Sequence, residues 1–248
     1  MAASQPNRET SHYVQQEFAE NYPPGVEHAY WHLARNAIIA ENLRTIGARK
    51  VLDVGCGRGI VVEYLNAHGI DSSGVEPGDV VVPTKLAGKI YQGVTAQQLD
   101  ESIRRAFDTI LLGDVIEHIE HPESFLIELQ KLYPNVRHFV IMVPARHELW
   151  SNYDEHYGHY RRYDLATLRV AMQTSGLQVI SISYFFKLLY PLMRLILLIR
   201  RKRSTQLRAS VGGRTLHRFL AALLVADYHW LPARIYGTSL ICVAAVPR

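Results

Sequence analysis

The chain of 248 residues carries 27 Lys and Arg against 23 Asp and Glu, a net charge of +4 that gives no strong signature of nucleic-acid binding. Its length suits one α/β domain rather than several. Two cysteines occur, Cys56 and Cys242, and we read no secretory signal at the start, so we expect a reduced, cytoplasmic setting.

Polarity and periodicity divide the chain into successive parts. The first residues are polar and aperiodic, which is typical of a loose tail. Apolar residues then recur at helical spacing around Ile38 and Leu43, ahead of short apolar runs that alternate with helical patterns. We expect a single domain, 1–248, made of a flexible tail (1–11), an N-terminal helical cap (12–48), an α/β core (49–184), a helical insertion (185–236) and a final strand (237–248).

The core is organised around the sequence Val-Leu-Asp-Val-Gly-Cys-Gly-Arg-Gly at residues 51–59. A short apolar run followed by glycines at alternate positions predicts a buried parallel strand that turns abruptly into a helix. Glycine allows positive φ and close approach of a ligand, and the helix that follows offers free N–H groups. A dinucleotide fingerprint needs a third glycine where Ile60 stands, which weakens the nicotinamide alternative but leaves it open.

This run resembles motif I of the class I S-adenosylmethionine (SAM) dependent methyltransferases, in which the loop backs the methionine part of the cofactor. A second strand ends in the acid Glu76, 17 residues after Gly59, and a fourth-strand pattern covers residues 107–114, as in that family. There the acid accepts hydrogen bonds from the ribose hydroxyls. The resemblance implies these cofactor-binding residues: Asp53, Gly55, Cys56, Gly57, Gly59, Glu76, Pro77, Val94, Thr95, Asp114 and Val115.

The same resemblance implies a doubly wound, seven-stranded Rossmann-like sheet whose last strand is antiparallel. Ligands of open parallel sheets bind outside the carboxyl ends of the strands. We therefore expect Asp53, Glu76, Asp114 and the segment after Pro144 to meet in one cleft. Apolar runs predict the strands near residues 51–54, 72–76, 89–92, 107–112, 139–143, 177–184 and 238–246.

The end of the fourth strand narrows the acceptor class. It lacks the Asn/Asp-Pro-Pro-Tyr turn of methyltransferases that act on adenine or glutamine nitrogen, and the Pro-Cys pair of those that attack cytosine. Asp114, Glu117 and His118 are similar to a segment of the ubiquinone-biosynthesis O-methyltransferases, where such residues can hold magnesium. Imidazole is a less typical ligand for so hard an ion, so we expect no metal and a pocket shaped by Glu117 and His118 alone.

Residues 146–163 are unusually dense in side chains that titrate, donate or stack, and the strand order places them over the cleft. We interpret this segment as the acceptor-binding lid. Its Trp-Ser-x-x-Asp and Gly-His-x-Arg-Arg-Tyr patterns resemble an uncharacterised bacterial subgroup of SAM methyltransferases, over residues 28–184, without naming a substrate.

A hydroxyl acceptor has to lose a proton, and histidine is a suitable base near neutral pH. The candidates are His159 and His156, followed by His118. In the alternative interpretation these histidines hydrogen-bond the lid to the sheet. The His156-x-x-His159 spacing also occurs in zinc sites, but no further ligand cluster in the sequence supports one.

The insertion departs from the minimal fold. Its apolar stretch at residues 185–199 is shorter than the roughly 20 residues of a spanning helix and contains two cations. Lys187, Arg194 and Arg201 recur every seven residues, which predicts one basic helical face. With the basic run at 200–203, this composition favours a helix lying on an anionic membrane or gripping an amphiphilic acceptor.

Residues 214–230 form a second predicted amphipathic helix in the insertion. Its apolar positions allow an alternative in which the two helices pack on each other as a hairpin, or on a second subunit. Contact of the basic run with nucleic acid is a third alternative. The apolar positions of this helix are Leu216, Phe219, Leu220, Leu223, Leu224 and Tyr228.

Together these features predict an enzyme that moves the methyl group of SAM to a hydroxyl of a small-molecule or lipid-linked acceptor. We expect it in the cytoplasm, where it could be peripheral on the inner face of the membrane, as a monomer or homodimer without a nucleic-acid partner. The alternatives are an NAD(P)-dependent oxidoreductase and a non-catalytic SAM-binding or membrane-adaptor module.

Overall fold

The computed structural model of the chain describes residues 25–200, 202 and 213–247. The predicted tail (1–11), the first part of the predicted cap, and Arg201 and Arg203 of the basic run lie outside the described residues.

Among the residues that the structure describes, one mixed sheet of seven strands forms the centre of the fold, in the spatial order β3-β2-β1-β4-β5-β7-β6. All neighbours are parallel except β7, which runs antiparallel to both β5 and β6. The predicted fold class is therefore confirmed, including its antiparallel last strand. The strands are β1 (Lys50–Val54), β2 (Asp71–Glu76), β3 (Ile90–Gln92), β4 (Thr109–Gly113), β5 (His138–Pro144), β6 (Gln178–Phe185) and β7 (Ser239–Ala245).

Eight α-helices accompany the sheet in the described ranges, and two of them begin at residues suited to the start of a helix. Pro122 opens a helix at a position where its missing N–H costs nothing. Asp164 caps the next long helix by accepting from the Thr167 N–H at 2.8 Å. The helices are α1 (Tyr30–Thr45), α2 (Ile60–Ala67), α3 (Glu101–Arg104), α4 (Pro122–Leu132), α5 (Asn152–His156), α6 (Leu165–Thr174), α7 (Leu189–Arg200) and α8 (Arg214–Trp230).

Two apolar clusters lie on the two faces of the sheet. One contains Leu126 of α4 and Leu168 of α6 packed on β4, β5 and β7. The other contains Ile38 of α1, together with Val61 of α2 and Leu224 of α8. Burial of these side chains contributes about 25 cal/mol per Å² of apolar area and holds helices on both faces of the sheet, in three layers. The carboxyl ends of β1, β2, β4 and β5 lie at one edge of this sheet.

The insertion departs from its predicted packing. Lys187 precedes α7 and is buried, and its Nζ donates to the carbonyl of Leu231 at 2.7 Å. Arg194 turns inward and donates to the carbonyl of Glu148. The prediction that these cations form one basic helical face is therefore wrong, because backbone carbonyls at the end of α8 and at residue 148 bind them.

Helix α8 packs against α1 rather than on α7 as a hairpin. Its buried residues are His217, Ala221, Leu224 and Asp227. Leu216, Phe219 and Leu223, which the sequence places on a packing face, are exposed. The side of α8 that meets α1 carries small and polar groups. One of them, His217, accepts the Tyr30 N–H at its Nδ1.

Candidate functional site

The glycine loop after β1 has the conformation that its sequence requires. Gly55, Gly57 and Gly59 have φ of 75°, 52° and 81°, the left-handed region that a side chain disfavours. A Cβ on Gly55 would approach Val115 Cγ2 at 3.0 Å. The loop after β1 and the loop after β4 are therefore in contact, and a side chain at residue 55 would separate them.

Glu76 lies buried at the end of β2 and binds two backbone amides. Its Oε2 accepts from the Gly57 N–H at 2.8 Å and its Oε1 accepts from the Gly78 N–H at 2.8 Å. Burial raises the pKa of this carboxyl, and the two amide hydrogen bonds oppose that shift. The carboxylate is thereby held beside the glycine loop, where the sequence predicts a ribose partner.

Asp53 and Asp114 face the same edge, and the cation between them comes from α1. The Arg35 guanidinium contacts Asp114 Oδ2 at 2.7 Å and lies over Gly113, where a Cβ would stand 2.6 Å from its Nη2. Burial raises the pKa of Asp53 to about 7; the charge of Arg35 opposes this shift, and Glu76 and Asp114 add to it. Sequence reasoning missed Arg35, whose one signal is a cation within an apolar helical pattern.

The remaining predicted cofactor residues lie in the same loops. Pro77 directly follows Glu76, and Val94 is partly buried against the core. The side chain of Thr95 caps the turn Ala96–Gln98. The Cys56 side chain packs on Gly74, and burial raises the pKa of its thiol well above the ordinary value, which favours the protonated thiol at neutral pH.

Three side chains from two distant parts of the sequence meet next to this edge. Glu117 and His118 follow β4, and His159 follows α5, with one ligand-type atom from each lying within 4.8 Å of the others. The rings of His118 and His159 meet edge to face at 4.6 Å. Burial, with the charge of His159, lowers the pKa of His118 to about 4, so the imidazole is neutral at pH 7 and offers a lone pair.

Glu117 is fully buried, and neither carboxylate oxygen has a hydrogen-bond partner among the described residues. Burial raises its pKa well above the ordinary value, and the nearby charge of Asp114 adds to the shift. An unsatisfied carboxyl group in this position costs free energy that a proton, a metal ion or a ligand would recover.

Asp154 orients His159. Its Oδ1 lies 3.0 Å from His159 Nδ1 and 2.7 Å from Arg162 Nε. Burial alone would raise the pKa of Asp154, but hydrogen bonds from His159 and the charge of Arg162 hold it below the usual value. The ionised carboxylate only accepts, so His159 Nδ1 carries the proton and its Nε2 is free to act as a base or ligand.

The predicted lid is tied to the sheet at several points. The Tyr160 N–H donates to the Glu117 carbonyl at 2.7 Å, and the Tyr163 N–H donates to the Pro144 carbonyl. The Trp-Ser-x-x-Asp pattern has a structural basis, since Ser151 and Asp154 form the capping box of α5. His156, also predicted as a base, is exposed at the end of α5 with its ring against Tyr157 and is not a member of the cluster.

The cluster of Glu117, His118 and His159 also fits a divalent metal ion. One carboxylate and two imidazoles are donors that zinc, manganese and iron accept, and the Asp154–His159 pair is the outer hydrogen bond that metal-ligating histidines commonly make. Asp114, which the sequence places beside Glu117 and His118 in a magnesium segment, instead pairs with Arg35.

Comparison with known proteins agrees with this geometry. A family model described as a methyltransferase domain matches residues 12–182, more than two thirds of the chain. The chain therefore belongs to this methyltransferase family, and it is a SAM-dependent methyltransferase with the class I fold. The predicted resemblance and enzyme class are confirmed.

Curated relatives match over shorter stretches. Ubiquinone biosynthesis O-methyltransferase of Maricaulis maris is 31% identical over 90 residues, which cover 34% of this chain and 35% of that protein. Thus about one third of the length of that relative is matched. Solved structures are more distant in sequence and show the fold.

Phosphoethanolamine N-methyltransferase 2 of Haemonchus contortus has a TM-score of 0.55 at 14% identity, covering 95% of this chain and 60% of that one. Magnesium protoporphyrin IX methyltransferase of Synechocystis has a TM-score of 0.52 at 14% identity, covering 87% and 83%. Both were solved with S-adenosylhomocysteine (SAH) bound.

Proposed function

We propose that the enzyme transfers the methyl group of SAM to a hydroxyl oxygen of a small-molecule or lipid-linked acceptor. The observation that carries this proposal is the cluster of Glu117, His118 and His159 beside the cofactor edge, in which Asp154 binds His159 Nδ1 and leaves Nε2 facing the cluster as a base. An amine acceptor that binds as its free base needs no such group, whereas a hydroxyl does. The names of the curated relatives, which are O-methyltransferases, support the same choice.

The cofactor roles follow from the loops described above. The loop from Gly55 to Gly59 would back the methionine part of SAM, and Glu76 would exchange its backbone partners for the two ribose hydroxyls. Val94 and Thr95 would line the adenine. Arg35 would meet the methionine carboxylate, since its guanidinium contacts Asp114 at this edge and its charge also acts on Asp53.

In the proposed reaction the acceptor O–H gives its proton to His159 Nε2, and the oxygen lone pair attacks the methyl carbon in line with the carbon–sulfur bond. That bond breaks with its electrons going to sulfur, so the sulfonium becomes the neutral thioether of SAH. The buried Asp154 carboxylate stabilises the imidazolium that forms.

The cluster also gives a second form of the site, in which Glu117, His118 and His159 hold a divalent metal ion. When bound, such an ion would lower the pKa of the acceptor hydroxyl and make a separate base unnecessary. Titration with Mn²⁺, followed by the loss of the free-ion electron paramagnetic resonance signal, decides between the two forms. Tight binding that Glu117→Gln abolishes and the exposed His156→Asn leaves intact would assign the cluster as a metal site.

The enzyme would act in the cytoplasm at a membrane surface, where a lipid-linked acceptor is available. A cytoplasmic enzyme peripheral on the inner face of a membrane is supported by the cationic, apolar insertion that follows the lid. No helix in the described ranges has both the length and the apolarity needed to cross a bilayer.

Calorimetric titration with SAH and, in parallel, NADH tests the cofactor assignment, with Asp53→Ala and Glu76→Ala as variants. We expect micromolar affinity for SAH (Kd on the order of 1 µM, about −8 kcal/mol) that both substitutions weaken. Binding of NADH in its place would favour the oxidoreductase alternative and overturn the proposal.

Transfer itself is tested by incubating the enzyme with methyl-labelled SAM and either a lipid extract or a water-soluble extract of bacterial cells. Mass spectrometry of the labelled product locates the methyl group on oxygen, nitrogen or carbon. SAH binding without any labelled product from either extract would favour the non-catalytic module.

A further inference from the structure

The insertion is much more positively charged than the net charge of the whole chain suggests. Residues 186–236 contain ten Lys and Arg but one acid, Asp227, whereas the rest of the chain has 17 Lys and Arg against 22 Asp and Glu. Asp227 is buried and accepts the Leu188 N–H at 3.0 Å. The described surface of this segment is therefore free of acidic side chains, while the remainder of the protein is net negative.

Exposed apolar side chains concentrate in the same segment. Of the fifteen large apolar side chains that are exposed in the described ranges, eleven lie within residues 188–236. Leu192, Leu195 and Ile199 follow i, i+3 and i+7 spacing and so share the outer side of α7, and the exposed Leu188 directly precedes this helix. Its inner side is occupied by Tyr190 and Arg194, which bind Glu148, and by the buried Leu197.

Helix α8 carries a second outer stripe. Leu216, Phe219 and Leu223 are exposed along it, and Trp230 at its end is 85% exposed. Arg214 and Arg218 are exposed beside this stripe. Lys187 and Leu188 hydrogen-bond the last turn of α8, so the start of α7 is fixed against the end of α8.

A groove of about 700 Å³ adjoins the same cations. It lies between α1, α2 and α8, with Arg214 and Arg218 among its lining residues and Ala221, Ala222 and Val225 forming apolar wall. Cations next to an apolar recess suit an amphiphile with an anionic head. A nucleic-acid backbone would use the cations and leave the recess and the exposed Trp230 without a partner.

We infer that the outer faces of α7 and α8 form a docking surface for a membrane with anionic lipids. Apolar side chains at this surface would enter the interface, and Arg200, Lys202, Arg214 and Arg218 would meet the headgroups. Lys187 and Arg194, which the sequence places on this surface, have structural roles instead. Because Tyr190 and Arg194 bind Glu148 at the root of the lid, docking would bring the acceptor side of the cleft to the lipid.

Membrane docking would serve the proposed methyl transfer to a lipid-linked acceptor and rests on that function. Flotation measures docking without methyl transfer, so the two proposals can fail separately. The full-length protein is floated with vesicles of phosphatidylcholine alone and of phosphatidylcholine mixed with phosphatidylglycerol, without cofactor. We expect flotation with the mixed vesicles only. The apolar variant Leu192→Gln/Leu195→Gln/Ile199→Gln and the charge variant Lys202→Gln/Arg214→Gln/Arg218→Gln should each lower the bound fraction at least tenfold.

The matched control is Val170→Gln/Ile180→Gln, which removes two apolar side chains that are 58% and 54% exposed elsewhere on the surface. It should float like the unchanged protein, and SAH titration checks that every variant is folded. Failure of the unchanged protein to float, or equal flotation of all variants, would overturn the inference. Two further results, each obtained without flotation, would also overturn the inference. One is a dimer that the apolar variant converts to a monomer, and the other is salt-dependent RNA binding that only the charge variant loses.

Discussion

The cofactor edge and the insertion are built in different ways. At the cofactor edge the contacts are mostly between the backbone and nearby loops: three glycines with positive φ, and a carboxylate held by the amides of Gly57 and Gly78. In the insertion, single side chains reach across about forty residues, as when Lys187 binds the carbonyls of Asp227 and Leu231. Local sequence specifies the first region, and tertiary contacts specify the second.

The largest effect should separate chemistry from cofactor binding. His159→Asn removes the free Nε2 beside the acceptor, so we expect the rate of methyl transfer to fall by about 10²–10⁴-fold. The Kd of SAH should stay within about twofold, because the cofactor contacts come from other loops. His156→Asn, at the exposed end of α5, is the matched control. Equal losses of rate in the two variants would contradict the assigned base.

The second effect should appear in stability rather than in binding. Lys187→Met leaves carbonyls at the end of α8 without their donor and deprives Asp227 of its cation, so we expect a loss of about 2–4 kcal/mol in the free energy of unfolding. Arg194→Met should cost about 1 kcal/mol or less, since one hydrogen bond is lost. Urea denaturation measures both. Similar costs would show that the buried Lys187 contributes no more to stability than a single hydrogen bond.

A smaller effect is expected on the affinity for SAH when Arg35, a distant residue that contacts the cofactor edge, is replaced. Arg35→Gln takes the cation away from Asp53 and Asp114, and we expect the affinity for SAH to fall about tenfold, roughly the value of one charge-assisted hydrogen bond. Arg44→Gln, an exposed position on the same helix, is the control in the same calorimetric titration. An unchanged Kd for Arg35→Gln would mean that the methionine carboxylate binds elsewhere.

The smallest effect, per unit of the quantity varied, is a slope of the unfolding free energy with pH. Burial, with the charge of Arg35, lowers the pKa of His32 from its ordinary 6.5 to about 3, so below pH 6.5 the unfolded chain binds a proton that the folded chain does not. Stability should therefore fall as pH falls from 6.5 towards 3, and His32→Leu should reduce that loss by roughly 1 kcal/mol per pH unit. Denaturant midpoints at several pH values measure it, and parallel curves for the two proteins would refute the assignment.

The sequence predicts the sheet and the cofactor loops because their signals are local. The spacing from Gly59 to Glu76 and the capping residues Pro122 and Asp164 each determine structure within a few turns of chain. The meeting of His159 with Glu117 is different, since 42 positions separate them and only the return of the lid to Pro144 brings them together. The contact between Arg35 and Asp114 could not be predicted for the same reason, since the two residues are far apart in the sequence.

Helix α8 shows why a periodic pattern identifies a helix without identifying its buried side. Leu216, Phe219 and Leu223 repeat as a core stripe would, yet all three are exposed. The buried side of the helix instead carries Leu224 together with the polar His217 and Asp227. The buried side was decided by partners that sequence periodicity does not encode, such as the backbone N–H of Tyr30 for His217 and that of Leu188 for Asp227.

The reversal of β7 has a consequence for how such enzymes diversify. Phe185, where β6 ends, pairs directly with Ser239, where β7 begins, so the insertion leaves and rejoins the sheet at neighbouring points. The entropic cost of closing a longer loop between fixed ends grows only with the logarithm of its length. Segments can therefore be lengthened or exchanged between β6 and β7 without disturbing the register of the sheet, which makes this junction a natural place for evolution to attach a new surface to an old catalyst.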